Sequence, residues 1–215
     1  MKKVLLIGDS IRMGYDQYVK HSLKDYCEVY YPADNCRFAQ YILRHISDWK
    51  KTLCLGDDVD VVHWNAGLWD TLVLYEDGCL TPPEFYEYFI DKICNRIKVL
   101  FPNAKVIFAT STPVVENRFT NPSASYRKNC DIEKYNDIAV KKVKEYGFLV
   151  NDLYSITKDL PENYYSDMTH LYTPEGTQIL TNAVIKSIGN ALNTKYDEFT
   201  ITDYQTQTPL HSLQE

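Results

Sequence analysis

Short apolar runs alternate along the chain with longer stretches whose apolar residues recur every three or four positions. Val4–Ile7, Glu28–Tyr31, Val59–Trp64, Lys105–Thr110 and Phe148–Asn151 are the short runs, and they predict five strands. Tyr15–Lys24, Ala39–Lys50, Pro83–Leu100 and Ile132–Tyr146 predict the helices between them. A last helix is predicted from Pro174 to about Leu192. Thr173 can cap it, Pro174 suits its first position, and Leu180, Ala183, Val184, Ile188 and Ala191 follow at helical spacing.

Strands that alternate with amphipathic helices predict a parallel sheet covered on both faces. Because crossovers between parallel strands are right-handed, five such units give a three-layer α/β/α sandwich, with the flavodoxin-like strand order 2-1-3-4-5 expected. Residues 1–193 form the expected single domain. Beyond them the polar stretch 194–215 is expected to be either disordered or packed against a partner. Two connections, Ala66–Pro82 and Ser111–Asp131, are longer than a crossover needs. Both leave carboxyl ends of strands, the edge where open α/β sheets bind ligands.

Composition narrows the picture. With 45% hydrophobic and 24% charged residues in 215, the chain is neither disordered nor fibrous. A formal charge of -6 argues against a nucleic-acid binder or a polybasic membrane-surface protein and favours a small neutral or polar substrate. The apolar run after Met1-Lys2-Lys3 ends at Gly8, too short for a signal peptide or a membrane span, so a cytoplasmic location is expected. Six cysteines without a C-x-x-C pair indicate neither a metal nor a redox centre. No cofactor is expected, and the oligomeric state stays open, with a homodimer among the options.

Gly8-Asp9-Ser10 follows the first strand and leads into a helix. A serine in that turn sits at the carboxyl edge of the sheet, beside helix N–H groups that favour negative charge. The same tripeptide also serves as a helix cap. At the other end, Asp167-Met168-Thr169-His170 precedes the last helix. A histidine acting as base needs one ring nitrogen toward the nucleophile and the other held by an acceptor, which an aspartate three residues earlier can supply. Topology brings both segments to one edge. Asn65, at the end of the third strand, can donate an amide N–H to an oxyanion, or can simply stabilise its own turn. Gly67 allows close backbone approach, and Asn35-Cys36 occupies the corresponding place after the second strand.

These residues resemble the SGNH or GDSL-type hydrolases, a family of esterases and lipases. Gly8-Asp9-Ser10 matches its first block and Asp167-Met168-Thr169-His170 its last. The resemblance covers the domain to about Leu192 and implies the sandwich fold, Ser10 as nucleophile, His170 as base and Asp167 as the acid that orients it. For the oxyanion it implies the N–H groups of Ser10 and Cys36, with Asn65 replacing an asparagine of the third block. That block, G-x-N-D in the family, aligns with Gly67-Leu68-Trp69-Asp70, where tryptophan stands in the asparagine's place.

The expected activity is hydrolysis of short acyl esters, O-acetyl carbohydrate first among them, through an acyl-enzyme. Trp64, Trp69 and the 18 tyrosines offer faces for sugar rings as well as ordinary packing. Arg12, Asn35, Arg37 and Trp69 are candidate substrate contacts, although for the two arginines pairing with a neighbouring acid or pointing to water is the favoured reading. His63 reads as a core histidine. Two rivals remain: a lysophospholipase or thioesterase of the same family, and a catalytically silent α/β module that binds a small ligand at the same edge.

Overall fold

A computed structural model describes residues 1–121 and 124–201. Among them are seven strands: β1 (Lys2–Ile7), β2 (Cys27–Tyr30), β3 (Val61–Trp64), β4 (Val73–Leu74), β5 (Lys105–Ala109), β6 (Ser125–Tyr126) and β7 (Leu149–Asn151). The helices are α1 (Ser10–Ser22), α2 (Ala39–Thr52), α3 (Pro83–Leu100), α4 (Asn129–Glu145), α5 (Leu153–Thr157) and α6 (Pro174–Leu192). Five strands form one parallel sheet in the order β2-β1-β3-β5-β7. With β4 and β6 set aside, this is the expected 2-1-3-4-5. The register sets Ile7 beside Trp64 and Trp64 beside Phe108, so the central strands end level.

Side chains alternate across the sheet, and each face has its own core. Val4, Leu6, Val61 and Ile107 pack with Ile11, Tyr15 and Val19 of α1 and Val184 and Ile188 of α6. Leu5, Ile7, Val62 and Phe108 pack with Ile42 and Ile46 of α2, Ile90 of α3 and Tyr135 of α4. The central strands, buried on both faces, have no solvent side to show, which is why they read as nearly continuous apolar runs. Each such side chain taken from water contributes roughly 1.5–3 kcal/mol.

α1 begins at Ser10 rather than Tyr15. Asp9 caps it, its Oδ1 accepting the Ile11 N–H at 3.0 Å, so the helix grows directly out of the turn after β1. α6 has the predicted span: Thr173 Oγ1 accepts the Gly176 N–H at 3.2 Å, and Asn193 closes the helix at φ 54°. The two long connections are tied to each other, because β4 and β6 pair antiparallel, Val73 opposite Tyr126.

The stretch after 193 is not wholly a tail. Phe199 is 3% exposed and packs against Tyr18, ring centroids 5.4 Å apart. The Asn182 side chain holds its backbone from both sides, donating to Phe199 O at 3.0 Å and accepting the Phe199 N–H at 2.7 Å. Residues 194–201 therefore belong to the folded body, and the rest of the expected tail, 202–215, lies outside the described residues. No helix among the described residues is long and apolar enough to cross a membrane.

Candidate active site

The ends of β1 and of the loop before α6 meet at the carboxyl edge of the sheet. Ser10 is the first residue of α1, so its N–H has no acceptor within the helix and the helix dipole places positive charge there. Ser10 Oγ lies 2.8 Å from His170 Nε2, across 160 residues of sequence. His170 Nδ1 lies 2.7 Å from Asp167 Oδ2.

The Asp167 turn is built to hold that arrangement. Its Oδ1 accepts the Thr169 N–H at 2.6 Å and the His170 N–H at 2.8 Å, which leaves Oδ2 aimed at the ring. Burial pushes the carboxyl pKa up, but the His170 side chain and the two N–H donors outweigh it and hold Asp167 below the ordinary range. An ionised Asp167 only accepts, so Nδ1 carries the ring proton and Nε2 is left to accept the Ser10 hydroxyl. Ser10 is 4% and His170 7% exposed, so the pair is shielded from bulk water.

The expected oxyanion donors fare unequally. Cys36 is corrected: its N–H donates to Gly8 O at 3.1 Å as the chain turns back after β2, and is not presented to the cleft. The Asn65 amide lies over Gly8 and donates one hydrogen to Asp9 Oδ1 at 3.0 Å; an amide has two, so one donor remains. A side chain at position 8 would collide with Asn65, since a Cβ there would sit 1.9 Å from Asn65 Oδ1. Gly67, at φ 137°, passes so close to Ser111 Oγ and Tyr86 OH that a Cβ would lie 2.8 and 3.0 Å from them.

Of the candidate substrate contacts, Arg12 is also corrected. It is 1% exposed, ion-paired with Asp16 one helical turn on, and donates to Pro32 O at 3.0 Å and to Asp34 O at 2.5 Å. It braces the chain after β2 against α1 and cannot reach a ligand. Arg37 is exposed, at φ 48°, with its guanidinium 5.0 Å above the Tyr41 ring. Asn35 accepts the Arg37 N–H at 3.0 Å, and Trp69 is half-buried. His63 is a core residue: burial holds its pKa down at about 3, and Nε2 lies 3.2 Å from Asn151 Nδ2.

Three further groups support the edge. Asp9 is fully buried between Ile11 and Asn65, and burial raises its pKa. Asp70, last residue of the altered block, spans space to the start of α2, both oxygens accepting the Ala39 N–H at 3.2 and 3.1 Å. Arg127 is buried and donates from Nε to Leu68 O at 2.7 Å, fixing the Gly67-Leu68 turn from the opposite loop. Only the capping potential of Asp9 was open to sequence reading. A groove of about 900 Å³ lies along α6, lined by Ile179, Asn182, Lys186 and Tyr196 among others, and none of Ser10, Asp167 or His170 lines it.

No protein-family model matches the sequence, and no curated protein does. Solved structures match the fold. An acetyl xylan esterase, AlAXEase, superposes with a TM-score of 0.67 at 20% identity, over 86% of this chain and 99% of that one. The lipase/acylhydrolase of Enterococcus faecalis does so with 0.68 at 18%, over 93% and 100%. An acetylxylan esterase of Geobacillus stearothermophilus gives 0.64 at 18%, over 87% and 94%. By its architecture the chain has the three-layer fold of these esterases and acylhydrolases, the fold that the resemblance to SGNH or GDSL-type hydrolases implies.

Proposed function

We propose that the protein is a serine ester hydrolase acting on short acyl groups, with O-acetylated carbohydrate the preferred class. One observation carries the reading: the continuous Asp167, His170, Ser10 chain at 2.7 and 2.8 Å, in the order that activates a hydroxyl. Ser10 Oγ attacks the ester carbonyl as its proton passes to His170 Nε2. The resulting imidazolium is stabilised by Asp167. The oxyanion is met by the Ser10 N–H at the start of α1, the remaining Asn65 amide hydrogen and the backbone at Gly67. His170 then protonates the leaving alkoxide, and water attacks the acyl-enzyme with His170 again as base, which frees the acid and Ser10. The substrate class is supported by two acetyl xylan esterases among the structures that share the fold.

The test compares initial rates on acetylated xylo-oligosaccharides, p-nitrophenyl acetate and p-nitrophenyl palmitate for the wild type and Ser10→Ala. Turnover of the acetyl esters alone, abolished in the variant, is expected. Faster palmitate cleavage would favour the lysophospholipase alternative, and undiminished turnover by Ser10→Ala would remove the serine mechanism. The commitment of the Cys36 N–H to Gly8 O favours the silent binding module, which a folded protein with no turnover of any ester would select.

A further inference from the structure

Two residues past His170, Tyr172 touches both halves of the proposed catalytic pair. Its ring stacks on the His170 imidazole, centroids 4.5 Å apart and planes 27° from parallel. Its hydroxyl donates to the backbone carbonyl of Ser10 at 2.5 Å. Tyr172 is thus a strap between the base and the residue that carries the nucleophile, elements that are otherwise far apart in sequence. α1 makes room for it. Gly14 faces the ring, and a Cβ there would lie 2.5 Å from Tyr172 Cε1 and 2.8 Å from Cδ1. A glycine inside a helix is ordinarily a weak choice, and here the ring occupies the place of its missing side chain. Burial raises the phenol pKa well above its ordinary value, so the hydroxyl stays a donor throughout the working pH range.

We infer that Tyr172 is a positioning residue, which fixes the plane of His170 and the backbone of Ser10 relative to each other and offers an aromatic face to the imidazolium formed during attack. It acts through the two residues it touches. The inference rests on the serine-hydrolase reading, and it deepens that reading by naming the group that holds the two reacting side chains in register. Proton transfer from Ser10 needs Oγ and Nε2 aligned; the Asp167 bond restrains the ring at one nitrogen, and the stacked Tyr172 fixes its plane against tilting about that bond.

The experiment measures kcat and KM on p-nitrophenyl acetate for the wild type, Tyr172→Phe, Tyr172→Leu, Gly14→Ala and the Gly14→Ala/Tyr172→Leu pair, with folding followed by circular dichroism. Tyr172→Leu is expected to lower kcat on the order of 10²-fold, the scale of a misplaced reacting group, with KM within about twofold of wild type. Tyr172→Phe keeps the stacked face and should recover kcat to within about tenfold of wild type, the loss matching one hydrogen bond. Gly14→Ala pushes the ring and should lower kcat in the wild-type background but not in the Tyr172→Leu background. A folded Tyr172→Leu with unchanged kcat, or with a raised KM alone, overturns the inference. Should that variant not fold, an unchanged kcat in Gly14→Ala overturns it instead. Fluorophosphonate labelling of the wild type separates the two levels. Failure to label Ser10 defeats the hydrolase reading and this inference with it, whereas normal labelling with an indifferent Tyr172 defeats the inference alone.

Discussion

Replacing Asp167 by asparagine isolates the orienting role proposed for it. In the wild type Oδ1 is occupied by the Thr169 and His170 N–H groups and Oδ2 by the imidazole. The amide oxygen of the variant keeps the two backbone bonds, so the turn is retained, and its NH2 takes the place of Oδ2. That group donates only. The ring must therefore present Nδ1 as an acceptor and carry its proton on Nε2, where it can no longer take one from Ser10. A wrong tautomer of this kind costs about 10⁴ in kcat, or about 5.5 kcal/mol of barrier. Stability should change little, because the Asp167 side chain is 40% exposed and its structural bonds persist. Turnover of p-nitrophenyl acetate measured beside a thermal melt checks this: a drop of four decades in kcat with the melting temperature nearly unchanged is expected. A kcat within tenfold of wild type would refute the tautomer reasoning, and a collapse of the melt would show that Asp167 serves the fold instead.

Asn65→Ala removes the remaining amide donor and should lower kcat by roughly 10²–10³ with little change in KM; an unaffected kcat would leave Asn65 as a turn residue that satisfies Asp9. Arg12→Leu strips the partner from a carboxylate that is itself buried, and a loss of about 3–5 kcal/mol is expected, readable as a fall in the melting temperature of roughly 6–20 °C. An unchanged melt would mean that the Arg12–Asp16 pair is dispensable. Asp70 has its pKa raised to about 7, chiefly by burial, opposed by the Thr81 hydroxyl and the Ala39 N–H. Its folded pKa lies above the unfolded one, so the stabilisation it confers is full below about pH 4 and is lost as pH rises toward 7, by on the order of 4 kcal/mol. Urea unfolding at pH 4 to 7 should show that decline in the wild type and a shallower one in Asp70→Asn; identical slopes would place the proton elsewhere.

The sheet was legible because burial on both faces left the central strands nearly continuous apolar runs, and α6 because its cap, first-turn proline and apolar stripe are all local. The start of α1 was not. The turn after the first strand reads as the opening of a helix, but the apolar period places its body only from Tyr15, so the sequence favours an acid partner for Arg12 without naming Asp16, one turn on, as that partner. Set at Asp9, the same four-residue interval would have exposed the pair. β4 and β6 escaped notice because two-residue strands that pair across some 50 positions of sequence have no periodicity to display. The Cys36 N–H closes on Gly8 O, a non-local bond that no residue type announces. Phe199 is one aromatic in a polar stretch, and its inward turn rests on non-local partners, the bracket of Asn182 and the ring of Tyr18. That Ser10, Asp167 and His170 come together was legible for the opposite reason. Each sits in a short block with its own local grammar, and parallel topology sends both blocks to one edge.

The most direct measurement is the intact mass of the protein after exposure to a fluorophosphonate, followed by mapping of the modified peptide. A single adduct on Ser10, absent in His170→Ala, is the expected result, since only a hydroxyl relieved of its proton by the imidazole reacts at a useful rate. An unmodified protein, or an adduct on any other residue, would contradict the assignment of Ser10 as an activated nucleophile.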